Sequence, residues 1–265
     1  MPFTEVADRV WVTATRAGDP TTTVVAGARG LLVVDPAGVD AEALGGLDLG
    51  DADGAGAARD VVAVVLTHAH GEHVGDLDAL RAAWPEVVVH LHETAADTLG
   101  SAGPAAPALR TFSAAAVVDL GDRVVEVVHP GAGHSDGDAV VRLPDVDVVV
   151  VGDLVAAGQP DLGPGCRPLA WPSTLDVVLD LLTPASAVVC GHGGAAGVVD
   201  REHVEDQRNR LGLVSQTVRD LAGSGVRAEE ALTRGEWPYP AASLAHAVAN
   251  GYAALPRGAR QLPRA

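Results

Sequence analysis

The hexapeptide His68-Ala-His70-Gly-Glu72-His73 constrains this chain more than any other feature, because it sets four ligating side chains in the turn after an apolar run. Residues 60–67 (DVVAVVLT) are short, β-branched and apolar, and read as a buried strand. After His73, residues Val74, Leu77, Leu80 and Trp84 recur at helical spacing, so the cluster bridges a strand end and a helix start. A turn can aim neighbouring side chains at one point, whereas along a strand they alternate between opposite faces. His134 in GHS, Asp153 in VGDL and His192 in GHG complete a set of seven potential ligands. Neutral imidazole and carboxylate are usual zinc ligands, and three or four must converge at about 2.0–2.2 Å.

Residues 67–73, THAHGEH, resemble the signature Thr-His-x-His-x-Asp-His of the metallo-β-lactamase superfamily, with glutamate at the aspartate position. The resemblance continues in order over roughly residues 5 to 195. LLVVDPAG, with Asp35, is similar to the family's early strand and buried aspartate. HPGAGHSDGD resembles its Gly-His-Thr segment, VVGDLV its bridging-carboxylate strand, and VVCGHGG its last ligand. The resemblance implies that His68, His70 and His134 bind one metal, that residue 72, His73 and His192 bind a second, and that Asp153 bridges them. It also implies a metal-bound hydroxide as nucleophile, so no serine or cysteine nucleophile is required.

Glu72 departs from that pattern. Glutamate is one methylene longer than aspartate, and metal–ligand distances tolerate only about 0.2 Å. Three arrangements stay open: a relaxed site with two zinc ions, a weak second site, or one metal held by the first three histidines and Asp153. Glu72 can also serve as a carboxylate that orients a histidine or a water.

A chain of 265 residues can bury a sizeable core as one domain with a helical appendage. The core must be built of small aliphatic residues, because 48% of residues are hydrophobic and only 3% aromatic. All 18 basic residues are arginine, which excludes a catalytic or Schiff-base lysine. The net charge of −17 speaks against nucleic acid as a partner, since phosphate contacts by basic side chains supply most of that affinity. No apolar stretch reaches about 18 residues, so no membrane partner is expected. The first residues, MPFTEVADRVWV, lack the basic and apolar regions of a secretory signal. With only two cysteines, Cys166 and Cys190, in dissimilar settings, a reduced, cytoplasmic chain is the simpler expectation.

Hairpin strands are expected at VWVTAT, TTTVVAG and RGLLVVD, followed by a short helix and a connection over residues 38–59. Two βα units come next, the second carrying PEVVVHLHE; residues 100–116 read as a loop, and strands recur at LGDRVVEVVHP, AVVRLP and VDVVVVGDLV. The alternation suggests an α/β protein, a four-layer αββα sandwich, which is the superfamily's fold. Residues 1–200 form the expected metallo-β-lactamase-like domain, and residues 201–265 a helical C-terminal extension packed on it. The long Gly/Pro-rich loop at 156–172 is expected to wall the substrate site. Trp171 is either an apolar contact there or packing under the next helix.

Several polar residues have structural readings. His90 and His92 repeat the His-x-His spacing but lack a third partner in sequence, and His203 is expected to be exposed. His129 shapes the loop before His134, Asp136 and Asp138 brace that turn, and Asp35 orients a ligand. His246, Asn250 and Tyr252 resemble a terminal pattern of some superfamily members, but packing is their expected role.

The function implied is hydrolysis of a small carbonyl substrate, a thioester, lactone, ester or lactam, with two zinc ions expected and one possible. Asp153 and Glu72 are the carboxylates expected closest to the chemistry. Aspartate at 153 resembles the thioesterase and lactonase branches more than the lactamase branch. A mononuclear iron enzyme oxidising persulfides is the alternative, since histidine-rich ligation suits both metals. A non-catalytic metal-binding module is the third class. A homo-oligomer is compatible with the sequence.

Overall fold

In the computed structural model, which describes residues 3–16, 18–47, 60–99 and 108–256, two sheets lie face to face between two layers of helices. The first sheet runs in sequence order: β1 (Thr4–Ala7), β2 (Val10–Thr13), β3 (Thr22–Gly27), β4 (Gly30–Val34), β5 (Val61–Val65), β6 (Val88–His92) and β7 (Ala108–Phe112). Its first four strands are antiparallel, and β4 to β7 are parallel. The second sheet contains β8 (Ala115–Asp119), β9 (Val124–Val128), β10 (Val140–Leu143), β11 (Val148–Gly152), β12 (Ala187–Cys190) and β13 (Val198–Val199), with β11 and β12 parallel.

Valine-rich strands suit this arrangement because both faces of each sheet are covered. Val25, Leu32, Val34 and Val65 meet Val127, Val141, Val148 and Val150 between the sheets. Their neighbours in sequence point the other way, as the pleat requires. Val24, Leu31, Val33 and Val64 pack under α1 (Ala41–Gly45), α3 (Leu77–Ala83) and α4 (Glu93–Leu99), while α2 (Gly71–Val74) is a single turn at the site. On the far side, Val149, Val151 and Val188 pack against α5 (Trp171–Leu181), α6 (Arg201–Gly223), α7 (Ala228–Arg234) and α8 (Ala245–Ala254). The C-terminal helices therefore share one core with the second sheet. Among the described residues, no helix is long and apolar enough to cross a membrane.

The architecture agrees with the sequence reading, and four local expectations are corrected. The continuous helix expected from Val74 to Trp84 is broken at Gly75 (φ +47°), where an added Cβ would lie 2.6 Å from the Pro36 carbonyl oxygen. That close approach bends the chain between the turn carrying His73 and α3. The loop expected at 100–116 contains β7 and the start of β8, whose pairing with β6 and β9 overrides their weak strand propensity. β1 was not expected at all. His203 is half-buried, not exposed, with Nε2 2.8 Å from the Ala156 carbonyl oxygen. Residues 48–59 of the expected 38–59 connection and 100–107 of the expected loop lie outside the described residues.

Candidate metal centre

Four strand ends deliver the candidate ligands to one rim. β5 leads through Leu66 and Thr67 to His68, and the turn of α2 adds His70 at its N-cap, then Glu72 and His73. The loop between β9 and β10 brings His134, β11 ends directly before Asp153, and β12 ends two residues before His192. Because β11 and β12 are parallel, with Gly152 opposite Cys190, the last two ligands emerge side by side.

The ligating atoms form three overlapping groups, each within 4.8 Å: His68 with His70 and His134, His68 with His73 and Asp153, and Glu72 with His73 and His192. Asp153 stands at the centre. Its Oδ2 is 3.9 Å from His68 Nε2, 3.5 Å from His134 Nε2 and 3.4 Å from His192 Nε2, while Oδ1 is 3.4 Å from His73 Nε2. His134 Nε2 and His70 Nδ1 face each other at 2.9 Å. Donor atoms around one tetrahedral zinc stand roughly 3.3 Å apart, given its ~2.0–2.1 Å bonds to nitrogen.

Burial makes that convergence informative. His68 Nε2, His73 Nε2 and Asp153 Oδ1 are buried and make no hydrogen bond, a costly state for polar atoms unless something else satisfies them. A metal ion would satisfy them, so the residues fit the group that the family pattern implies. Glu72 differs from the others in being exposed, although its carboxylate reaches the group with His73 and His192.

Four of the five rings are oriented from outside. Asp35, held at φ +50°, accepts from the Thr67 backbone N–H at 2.8 Å, from Thr67 Oγ1 at 2.6 Å and from His73 Nδ1 at 3.0 Å. Thr67 Oγ1 lies 3.0 Å from His68 Nδ1. His134 Nδ1 is 3.3 Å from the Asp161 carbonyl oxygen, and His192 Nδ1 is 2.8 Å from that of Gly18. These partners leave the opposite nitrogens of His68, His73, His134 and His192 aimed inward, the usual arrangement for ligating histidines. Asp138 braces the His134 loop by accepting from the Gly133 and Ser135 backbone N–H groups and from Ser135 Oγ. Burial nevertheless pushes its carboxyl up to about 7.

The electrostatics sort the histidines. Burial, reinforced by the neighbouring rings His73, His134 and His70, holds His68 well below the ordinary histidine value, and burial lowers His134 as well. Both are neutral and able to ligate. Burial works against a charge on His73 too, but Asp153 and Asp35 on either side override it and raise the imidazole to about 10. Asp153 is held well below the usual carboxylate range, since His192 and His73 outweigh its burial.

A cavity of about 460 Å³ opens onto this centre, lined by Glu72, Asp153 and His192 together with the segment 155–159 and Asp161. The loop at 156–172 therefore walls the site, as expected. Trp171 does not line it: the indole is fully buried at the start of α5, donates to the Leu154 carbonyl oxygen at 3.1 Å and meets the His134 ring edge-on. Asn250 and Tyr252 bond to the backbone of Cys166 and Val226 and also lie away from the centre. His92 stacks on His129 with ring centroids 3.8 Å apart, and His129 Nδ1 donates to the Asp138 carbonyl oxygen. Gln207 and His203, which clasp the wall segment from α6, were missed. A lone amide among Val204, Leu211 and Val214 on the buried face of that helix was the available signal.

The chain belongs to the metallo-beta-lactamase superfamily, whose family pattern it matches over residues 15–211. It is 30% identical over 138 residues to the metallo-beta-lactamase type 2 of Bacillus cereus, covering 50% of this chain and 52% of that one. It is also 28% identical over 156 residues to the probable metallo-hydrolase YqgX of Bacillus subtilis (strain 168), covering 53% and 72%. The chain thus spans about half the length of the first curated relative it matches. A metallo-beta-lactamase structure from Pontibacter korlensis superposes with a TM-score of 0.65 at 22% identity, over 80% of this chain and 98% of that one. The sec-alkylsulfatase Pisa1 from Pseudomonas sp. gives 0.74 at 16% identity, over 94% and 49%. These likenesses establish the fold.

Proposed function

We propose that the protein is a zinc-dependent hydrolase of a small carbonyl substrate, a thioester, lactone, ester or lactam. The observation that carries this reading is the cluster of buried, unbonded His68, His73 and Asp153 atoms at the inner end of an open cavity. His68, His70 and His134 would hold one ion, Glu72, His73 and His192 a second, and Asp153 would lie between them. Bound zinc supplies a Lewis acid and lowers the pKa of its water to about 7.

The chain's own part is to orient and to exclude. Asp35, Thr67 and the Gly18 and Asp161 carbonyls fix the rings, so no reorganisation is needed when substrate arrives. The 155–159 segment shields one side of the cavity from water. A cysteine nucleophile has little support, because burial pushes the Cys166 and Cys190 thiols up to about 11 and 12. Both thiols are buried and free, which supports a reducing, cytoplasmic setting.

One observation favours a second reading. Glu72 is exposed and stands where the family pattern has aspartate, and a weak second site would suit a single iron and oxidation of a persulfide. Elemental mass spectrometry on protein purified without added metal, and again after zinc loading, separates the two. About two zinc per chain, with turnover in a panel of thioesters, lactones and lactams, is the expected result. One iron per chain with oxygen uptake would overturn it.

A further inference from the structure

The cavity over the centre has a charge pattern that bears on what can enter it. Its described lining contains three carboxylates, Glu72, Asp153 and Asp161, and no arginine, and the chain has no lysine to add one. The remaining wall is small and apolar at Val155, Ala156 and Ala157. Arg167, further along the same loop, is committed to both carboxylate oxygens of Asp136. Arg16 is exposed two positions before Gly18 and is the nearest arginine in sequence to that side of the cavity.

Resting on the hydrolase reading, we propose that this cavity selects carbonyl substrates with no anionic group beside the scissile bond, and that Asp161 is a specificity-determining residue. Glu72 and Asp153 would spend their charge on the metal. The exposed Asp161 carboxylate makes no ion pair among the described residues, and its backbone is tied to the centre through His134 Nδ1. A substrate carboxylate, sulfate or phosphate entering here would leave water for a wall that offers no guanidinium or ammonium partner and one like charge.

The wall cannot easily move aside to relieve that repulsion. The Gln207 side-chain amide, almost fully buried, accepts from the Ala156 backbone N–H at 3.0 Å and donates to the Leu154 carbonyl oxygen at 2.8 Å. His203 Nε2 donates to the Ala156 carbonyl oxygen at 2.8 Å. Three hydrogen bonds from one rigid helix thus fix the segment that begins the wall.

The test compares three thioesters that share one acyl frame and one leaving group but carry a methyl, an ammonium or a carboxylate substituent next to the carbonyl. With the zinc-loaded full-length protein, the carboxylate compound is expected to show kcat/KM about tenfold or more below the methyl compound, mostly through KM, as like charges several ångströms apart near a protein surface require. Asp161→Asn should narrow that ratio, and Arg16→Ala should leave it unchanged. Equal or better turnover of the carboxylate compound, or a ratio untouched by Asp161→Asn, would overturn the proposal, as would loss of carboxylate turnover in Arg16→Ala. If none of the three is hydrolysed, the thioester form of the hydrolase reading fails separately. Ligand-observed NMR with the unreactive ketone analogues then decides the selectivity: weaker binding of the carboxylate analogue supports it, and equal or tighter binding defeats it.

Discussion

Asp35 accepts a hydrogen bond from His73 Nδ1 at 3.0 Å, and through Thr67 Oγ1 the same carboxylate also reaches His68, so one buried acid sets the rings of ligands in both proposed metal positions. Asp35→Asn keeps the shape but replaces an acceptor oxygen with an amide that donates. Zinc affinity is expected to fall roughly ten- to a hundredfold, the usual cost of losing such an orienting partner. Competition against a chromophoric chelator measures it, and unchanged affinity would remove Asp35 from the account.

His73 gives the metal-free protein a defined pH dependence. Its pKa is raised to about 10 in the folded chain, against 6.5 when unperturbed, so its stabilising contribution is complete below about 6.5 and is lost as pH rises towards 10. The melting temperature of the metal-free protein should therefore decline across that window. His73→Gln should flatten the decline. At neutral pH, zinc binding should also release a proton from this ring, seen as a buffer-dependent enthalpy in calorimetry.

His70 is the ligand that can be removed at least structural cost, because it sits at the N-cap of a single helical turn and is only half-buried. His70→Ala should abolish hydrolysis and lower the metal content while the chain still unfolds cooperatively. An active variant would exclude a catalytic role for the group it forms with His68 and His134.

Gly191 leaves room for the central carboxylate. A Cβ there would overlap Asp153 Oδ1 and stand 2.7 Å from the Gly152 carbonyl carbon. Gly191→Ala is expected to displace Asp153 and lower both metal content and activity, while far-ultraviolet circular dichroism stays that of the folded chain. Retention of full metal content would show that the carboxylate has another place to go.

Gln207→Leu tests the clasp on the cavity wall. It leaves the Ala156 N–H without its partner and the Leu154 carbonyl with the Trp171 indole alone, a loss of about 1–3 kcal/mol for a buried group. Urea unfolding should show that loss, and KM should rise more than kcat falls. An equal fall in kcat with constant KM would place Gln207 in support of the centre instead of the wall.

The layered architecture was legible because each strand is an apolar run bounded by turn residues, and the ligands because histidine and carboxylate stand directly after such runs. What was illegible depended on pairing. β7 and β8 contain too many alanine and polar residues to announce themselves, and they exist because β6 and β9 offer open edges. The break at Gly75 hides inside a helical periodicity that continues across it, since only the approach of Pro36 demands the bend. Gln207 and Asp161 act at distances of 51 and 27 residues from their partners, Ala156 and His134. His203 was read from its charged neighbours in sequence, whereas its ring is set by a loop 47 residues away.

The division of the ligands between the sheets has a mechanical meaning. His68, His70, Glu72 and His73 follow a strand of one sheet, and His134, Asp153 and His192 belong to the other, while apolar side chains, mostly valine, fill the space between. Apolar contacts resist separation, and slippage of one layer over the next is opposed by a few bonds between them, such as Thr21 N–H to the Gly191 carbonyl and Ala139 N–H to the Thr67 carbonyl. A metal held from both sides would act as a further rivet, stiffening the join between the two layers at the edge where substrate must be gripped.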